Sequence, residues 1–105
     1  MKVIYVSGAY RAPTEYEVGL NIRRAEEAAI RLWMDGWAVI CPHKNTARLG
    51  GVVPDETWIK GDLEILRRCD AIYMLPGWER SEGARAEHEE AIRIGIPVLT
   101  RGTNE

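Results

Sequence analysis

The sequence predicts a three-layer α/β fold, with a parallel sheet of about four strands and helices packed on both faces. Three observations predict it. Short apolar runs and amphipathic helical stretches alternate as β-α-β-α-β-α-β along the 105 residues. The strand-like runs are continuously apolar, the pattern of strands covered on both sides. A hydrophobic content of 46% with four tryptophans supplies a core and excludes a disordered chain. A chain of this length leaves no room for a second core, so residues 1–105 are expected to form one domain.

Each element has its own signal. Lys2 to Ser7 is short, rich in β-branched and aromatic residues, and ends at Gly8, as a first strand should. Thr14 followed three residues later by Glu17 is a capping-box pattern opening a helix to Asp35, with Gly36 as the stop. Val18, Ile22, Ala25, Ala29 and Leu32 give that helix one apolar stripe. Trp37 to Cys41 is a second strand cut by Pro42, and Lys44 to Pro54 is a loop with a Gly50-Gly51 pair. A helix follows from about Asp55, weakened by about 1 kcal/mol at Gly61. Ala71 to Leu75 is a third strand ended by Pro76-Gly77, and Glu79 to Gly83 is a polar turn. Ala84 to Ile94 is a helix closed by Gly95, Ile96 to Thr100 a fourth strand, and Gly102 to Glu105 a loose tail.

Charge and composition narrow the function. Fourteen Lys and Arg against sixteen Asp and Glu give a formal net charge of −2, with both signs interspersed. No basic stripe tracks a phosphate backbone, so a nucleic-acid polymer is disfavoured while a single nucleotide is not. No apolar run approaches the roughly 18 residues that span a bilayer. The N-terminal run enters a strand without a signal-peptide layout, and Cys41 and Cys69 make no disulfide framework. A cytoplasmic protein is expected.

Two carboxylates occupy positions where the helix patterns call for apolar residues. Asp62 shares a stripe with Ile59, Leu63 and Leu66, and Glu87 shares one with Ala84, Ala91 and Ile94. An unpaired charge there costs several kcal/mol or shifts its proton equilibrium, so the pair suggests a small cleft with acid chemistry. In open parallel sheets ligands bind beyond the carboxyl ends of the strands. Those ends lead into Ser7-Gly8-Ala9-Tyr10-Arg11, into Pro42-His43-Lys44, and into Pro76 through Gly83. The first loop offers backbone N–H groups and Arg11 to an anion, although it is neither a GxGxxG turn nor a P-loop. Ser81 is a candidate N-cap, and Gly83 lets an anionic ligand approach the start of the helix. The plainer alternatives are a surface arginine, a simple cap, and acids paired with Arg67, Lys60 or other cations. Asp70 reads as a helix-end or turn residue, and Glu89 and Glu90 as a solvated face. Cys41, His43 and His88 have poor spacing for a metal, and no metal or cofactor is implied. Trp33, Trp37 and Trp58 fit core or interface packing, and Trp78 is placed to cover a base.

The residues resemble the nucleoside 2-deoxyribosyltransferase-like superfamily, whose relatives include 2′-deoxynucleoside 5′-phosphate N-hydrolases. Ile4-Tyr5-Val6-Ser7-Gly8-Ala9-Tyr10-Arg11 is similar to that family's opening strand and loop, and Asp62-Leu63 to its catalytic-aspartate helix. The most specific match is Ser81-x-Gly83-x-x-x-Glu87 followed by Ala91 and Gly95-x-Pro97-Val98-Leu99. The resemblance implies a Rossmann/flavodoxin-like fold and cleavage or transfer at the N-glycosidic bond of a nucleoside or nucleoside 5′-monophosphate. It implies Glu87 as nucleophile, Asp62 as general acid/base or orienting carboxylate, and Tyr5 positioning Glu87. Substrate contacts would come from Ser7, Gly8, Tyr10, Arg11, Ser81 and Gly83, and a homodimer or higher homo-oligomer is implied. Arg85, Glu89 and Glu90 bring more charge to the nucleophile helix than relatives carry, and the family's C-terminal extension is absent. The alternative is a non-catalytic nucleotide-binding or sequestering module of the same fold.

Overall fold

The first strand, β1 (Val3–Ser7), shows how this chain divides its core. Successive side chains of a strand point to opposite faces. Ile4 and Val6 join Ala25, Ala28 and Leu32 in one cluster, while Tyr5 joins Leu66, Ala84 and Ala91 in another. In the computed structural model, residues 1–47 and 49–102 are described. Strands β1, β2 (Ala38–Ile40), β3 (Ala71–Met74) and β4 (Val98–Leu99) form a four-stranded, all-parallel sheet in the order β2-β1-β3-β4. The three-layer α/β, flavodoxin-like arrangement expected from the sequence is therefore present.

Helix α1 (Glu15–Met34) covers one face, and Thr14 caps it by accepting the Glu17 amide at 3.1 Å. Its fully inward residues are Ala25, Ala28, Ala29 and Leu32, while Val18 and Ile22 are only half-buried. The opposite face is covered by α3 (Asp55–Leu66) and α4 (Glu82–Ile94). Between β2 and α3 the chain forms a short helix, α2 (Pro42–Asn45), where the sequence pattern gave only a strand stop and a loop. Pro42 ends the strand and also starts this helix, because its missing N–H is no loss at a first helical position.

The boundaries differ where pairing rather than apolar content decides them. The runs read as strands over 37–41 and 96–100 pair over only three and two residues, each being an edge strand with one neighbour. Helix α4 starts two residues before Ala84 because the Ser81 hydroxyl accepts the Ala84 amide at 3.2 Å. Gly95, at φ +79°, ends it. Asp70 ties the start of β3 to the start of β1: its carboxylate accepts the Val3 amide, and its own amide donates to the Val3 carbonyl, both at 2.8 Å. Gly102 lies in a turn, and the rest of the expected tail, 103–105, lies outside the described residues. No described helix is long and apolar enough to cross a membrane.

The tryptophans separate. Trp37 packs on the α1-side core, but Trp33 is 55% exposed. Trp78 does not sit over the cleft: it packs on the α4-side core and stacks on His88, with ring centroids 4.4 Å apart. Connections leave β1 toward β2 on one side and reach β3 on the other. The carboxyl ends of β1 and β3 therefore flank the point where the strand order reverses.

Candidate active site

A cavity of about 720 Å³ opens at that point. Its walls come from the loop after β1, from α2, from the first two turns of α3, and from the turn and first two turns around the start of α4. Gly8, Tyr10, Arg11, Asp62, Ser81, Gly83 and Glu87 all line it. Tyr5 and Ser7 do not. Both are fully buried behind the wall, on the same face of β1.

Glu87 lies between Ala84 and Ala91, the two buried alanines of α4, so the helix must carry it against the sheet. There the Tyr5 hydroxyl donates to Oε2 and the Ser7 hydroxyl donates to Oε1, each at 2.6 Å. Burial raises the Glu87 carboxyl above its ordinary value, the two hydroxyls oppose that rise, and the charge of Asp62 adds to it. The same burial, with Glu87 and Asp62 nearby, pushes the Tyr5 phenol far above its usual range, so Tyr5 stays a donor. Ser7, expected as a substrate contact, donates to Glu87 and does not line the cavity.

Asp62 sits on an α3 stripe that runs from the core into the cavity. Leu66 is fully buried, Leu63 packs on the core edge, and Ile59 is a half-exposed cavity wall rather than a core residue. Burial raises the Asp62 carboxyl. The alternative pairing with Arg67 is not formed, since Arg67 bridges Glu64 and Glu90. Glu90 also pairs with Arg93, and Arg85 donates to the Glu79 carbonyl at 2.7 Å. Arg85, Glu89 and Glu90, which suggested a binding-only module, thus lie off the cavity wall.

Gly8 is required by contact. A Cβ built there would stand 2.5 Å from Leu75 Cδ1 and 2.7 Å from Leu75 Cβ. A Cβ at Gly83 meets no protein atom within 4 Å, so that position is open toward the cavity. Arg11 is at the rim, paired with Asp55 at 3.0 Å, and both side chains are about two-thirds exposed.

Asp55 and Trp58 are wall residues outside the loops that the sequence brings to this edge, whereas His43 and Arg80 lie within those loops without a role of their own. His43 is only 5% exposed and packs edge-on against Tyr10. Its Nε2 lies 2.9 Å from the Ala9 carbonyl, which can only accept, so Nε2 carries the proton. Burial lowers its basicity, and Nδ1 is a bare acceptor with no partner among the described residues. Pro42 is a signal for the start of this helix, but not for the facing of His43. Trp58 fits packing by residue type, but it stands one turn before Asp62 and shares the cavity wall with it.

A solved 2-deoxyribosyltransferase from the psychrotolerant bacterium Bacillus psychrosaccharolyticus has a similar fold, with a TM-score of 0.67 and 20% sequence identity. The superposition covers 93% of this chain and 70% of that one. No curated protein sequence matches the chain. Likeness at that level of identity shows a shared fold, whereas the sequence itself fits one family model from its first strand through its last. On that match over residues 2–100, the chain belongs to the family described as Domain of unknown function (DUF4406).

Proposed function

We propose that the protein cleaves or transfers the N-glycosidic bond of a (deoxy)nucleoside or nucleoside 5′-monophosphate. One observation carries this reading: a carboxylate with both oxygens held by buried hydroxyls faces a nucleoside-sized cavity that contains a second carboxyl group, without an ion-pair partner among the described residues. The fold shared with a 2-deoxyribosyltransferase supports it.

The two acids have different surroundings and so different roles. Hydrogen bonds donated to a carboxylate favour its charged form, and burial without them favours the neutral form. Burial raises both carboxyls, but only Glu87 has two hydroxyls opposing that rise, so Glu87 takes the role of nucleophile and Asp62 that of proton donor. As the C1′–N bond breaks, its electron pair leaves with the base, and Asp62 gives its proton to a base nitrogen. A Glu87 oxygen forms the C1′–O bond, trapping a transition state of oxocarbenium character. Water then adds at C1′, its proton passes to Asp62, and the C1′–O pair returns to Glu87. If a second base replaces water, its N–H proton takes the same route and the outcome is transfer.

Around this centre, Gly83, Ser81 and Arg11 hold the 5′ end, and Gly8 and Tyr10 complete the wall. Trp58 offers a flat surface to the base. Incubation with a panel of deoxynucleosides, ribonucleosides and their 5′-monophosphates, followed by chromatography for free or exchanged base, tests the proposal. Base release from one class, abolished in Glu87→Gln, is the expected result. Folded protein that releases and exchanges no base from any of them rejects it.

A further inference from the structure

We propose that Ser7 is a positioning residue for Glu87: with Tyr5 it pins the two oxygens of one carboxylate in a single orientation toward the cavity. The inference rests on Glu87 being the attacking group proposed above. Ser7 is fully buried at the end of the central strand β1, in a run that is otherwise apolar or aromatic. Its position two residues after Tyr5 puts both hydroxyls on the same face of the sheet. Tyr5 reaches Oε2 and Ser7 reaches Oε1, each at 2.6 Å, the short distance of a hydroxyl donating to a charged oxygen. A serine has one proton to donate, and here Glu87 receives it, while Ser7 stays behind the cavity wall.

The geometry explains why one hydroxyl is not enough. With Tyr5 alone, the carboxylate could still turn about its last bond, presenting either oxygen or neither to a sugar carbon. Two donors from one rigid strand remove that freedom, and positional errors of about 1 Å at a reacting atom can cost about a hundredfold in rate. The clamp also sets the proton balance. Asp62 from α3 makes the Glu87 charge harder to hold, the Tyr5 hydroxyl from β1 makes it easier, and burial lowers the basicity of His43 on α2. Among the charged groups around the start of α4, Arg85 is turned to the Glu79 carbonyl, while Arg80 lies at the cavity wall. On its own helix, His88 is stacked on Trp78. The Ser7 hydrogen bond therefore counters both burial and Asp62.

Removing the hydroxyl should loosen Glu87 and make it hold a proton more tightly. The direct readout is NMR titration of protein labelled with ¹³C at the glutamate carboxyls, the Glu87 signal being the one lost in Glu87→Gln. In Ser7→Ala the Glu87 midpoint is expected to rise by about one pH unit, a tenfold gain in proton affinity, because one charge-assisted hydrogen bond is lost. The acid limb of the rate profile should move with it, with kcat down about tenfold and KM little changed. Ser7→Cys keeps the shape with a weaker donor, guards against a folding failure in the alanine variant, and should titrate between the two. An unmoved midpoint in a folded variant overturns the clamp. The titration needs no substrate, so wild-type protein that cleaves nothing, yet whose Glu87 midpoint responds to Ser7, would refute the proposed reaction and support the clamp.

Discussion

Asp62 and Glu87 share one cavity but not one set of partners, and the difference has a measurable effect on stability. A carboxyl raised above its unfolded value stabilises the fold fully at pH below that unfolded value, near 3.8 for Asp62. The contribution is lost as pH rises through the raised, folded value. At neutral pH the fold therefore carries a penalty for the Asp62 charge that a neutral isostere lacks. Asp62→Asn should melt at a higher temperature than wild type at pH 7, with the gap closing toward pH 3, while base release falls by about 10²–10⁴-fold. Equal melting curves at both pH values would mean that Asp62 is not desolvated. Both acids were legible because each interrupts an apolar stripe. The partners of Glu87 are only half legible: the resemblance implies Tyr5 beside Glu87, whereas it gives Ser7 no part in holding that carboxylate. Which strand face meets which helix depends on the crossover connections, and no local pattern encodes it. Gly83 gives a second test at this scale. A Cβ there meets no protein atom, so Gly83→Ala should leave the melting temperature unchanged or slightly raised. Ligand affinity, measured calorimetrically, should drop about tenfold or more if the 5′ end sits against that backbone.

At the scale of elements, caps and breakers decided what could be read. Thr14 with Glu17, Gly36, Ser81 and Gly95 fixed helix ends to within a residue or two, because each acts through its own side chain or backbone angle. Strand ends were poorly readable because hydrogen bonding to one neighbour, not apolar content, sets them at the edges of the sheet. Helix α2 was missed for a related reason: a four-residue helix has no periodicity to detect, and its only signal is Pro42 at its first position. Two glycines with opposite roles make this concrete. Gly61 lies inside α3 with open space around it, and the helix continues through it without interruption. Gly61→Ala should stabilise the protein by about 0.5–1 kcal/mol by improving helix propensity. Gly8 faces Leu75, a buried residue whose side chain cannot swing into solvent. Gly8→Ala should destabilise by about 1–3 kcal/mol, through displacement of the loop after β1 or of Leu75. Denaturant unfolding of the two variants checks both signs, and a Gly8→Ala protein as stable as wild type would show that this loop gives way easily.

For the molecule as a whole, parallel-sheet topology converts three separated loops into one cavity, and its overall layout was readable from the alternation of patterns. The charge placed around that cavity was not. The net charge is only −2, yet the wall carries Asp55, Asp62, Glu82 and Glu87 against Arg11 and Arg80. A 5′-phosphate entering such a site must find a cation that is not fully committed. Arg11 is paired with Asp55, but both are largely exposed, and a pair of that kind contributes only about 0–1 kcal/mol. Exchange of Asp55 for a phosphate is therefore inexpensive, and a planar guanidinium gains a better-matched partner. Binding to the folded state alone raises stability by about 2.7 kcal/mol at a ligand concentration of 100 Kd, roughly 10 °C for a domain of this size. Melting curves taken with a deoxynucleoside and with its 5′-monophosphate should show the larger shift for the monophosphate. Arg11→Ala should abolish that difference, and Asp55→Asn should widen it by freeing Arg11. The monophosphate shift should also shrink as salt is raised from about 0.01 to 0.15 M, since the rim is exposed and screened. Equal shifts for the two ligands in wild type, unchanged in both variants, would remove the phosphate from the rim and leave a site for the neutral nucleoside.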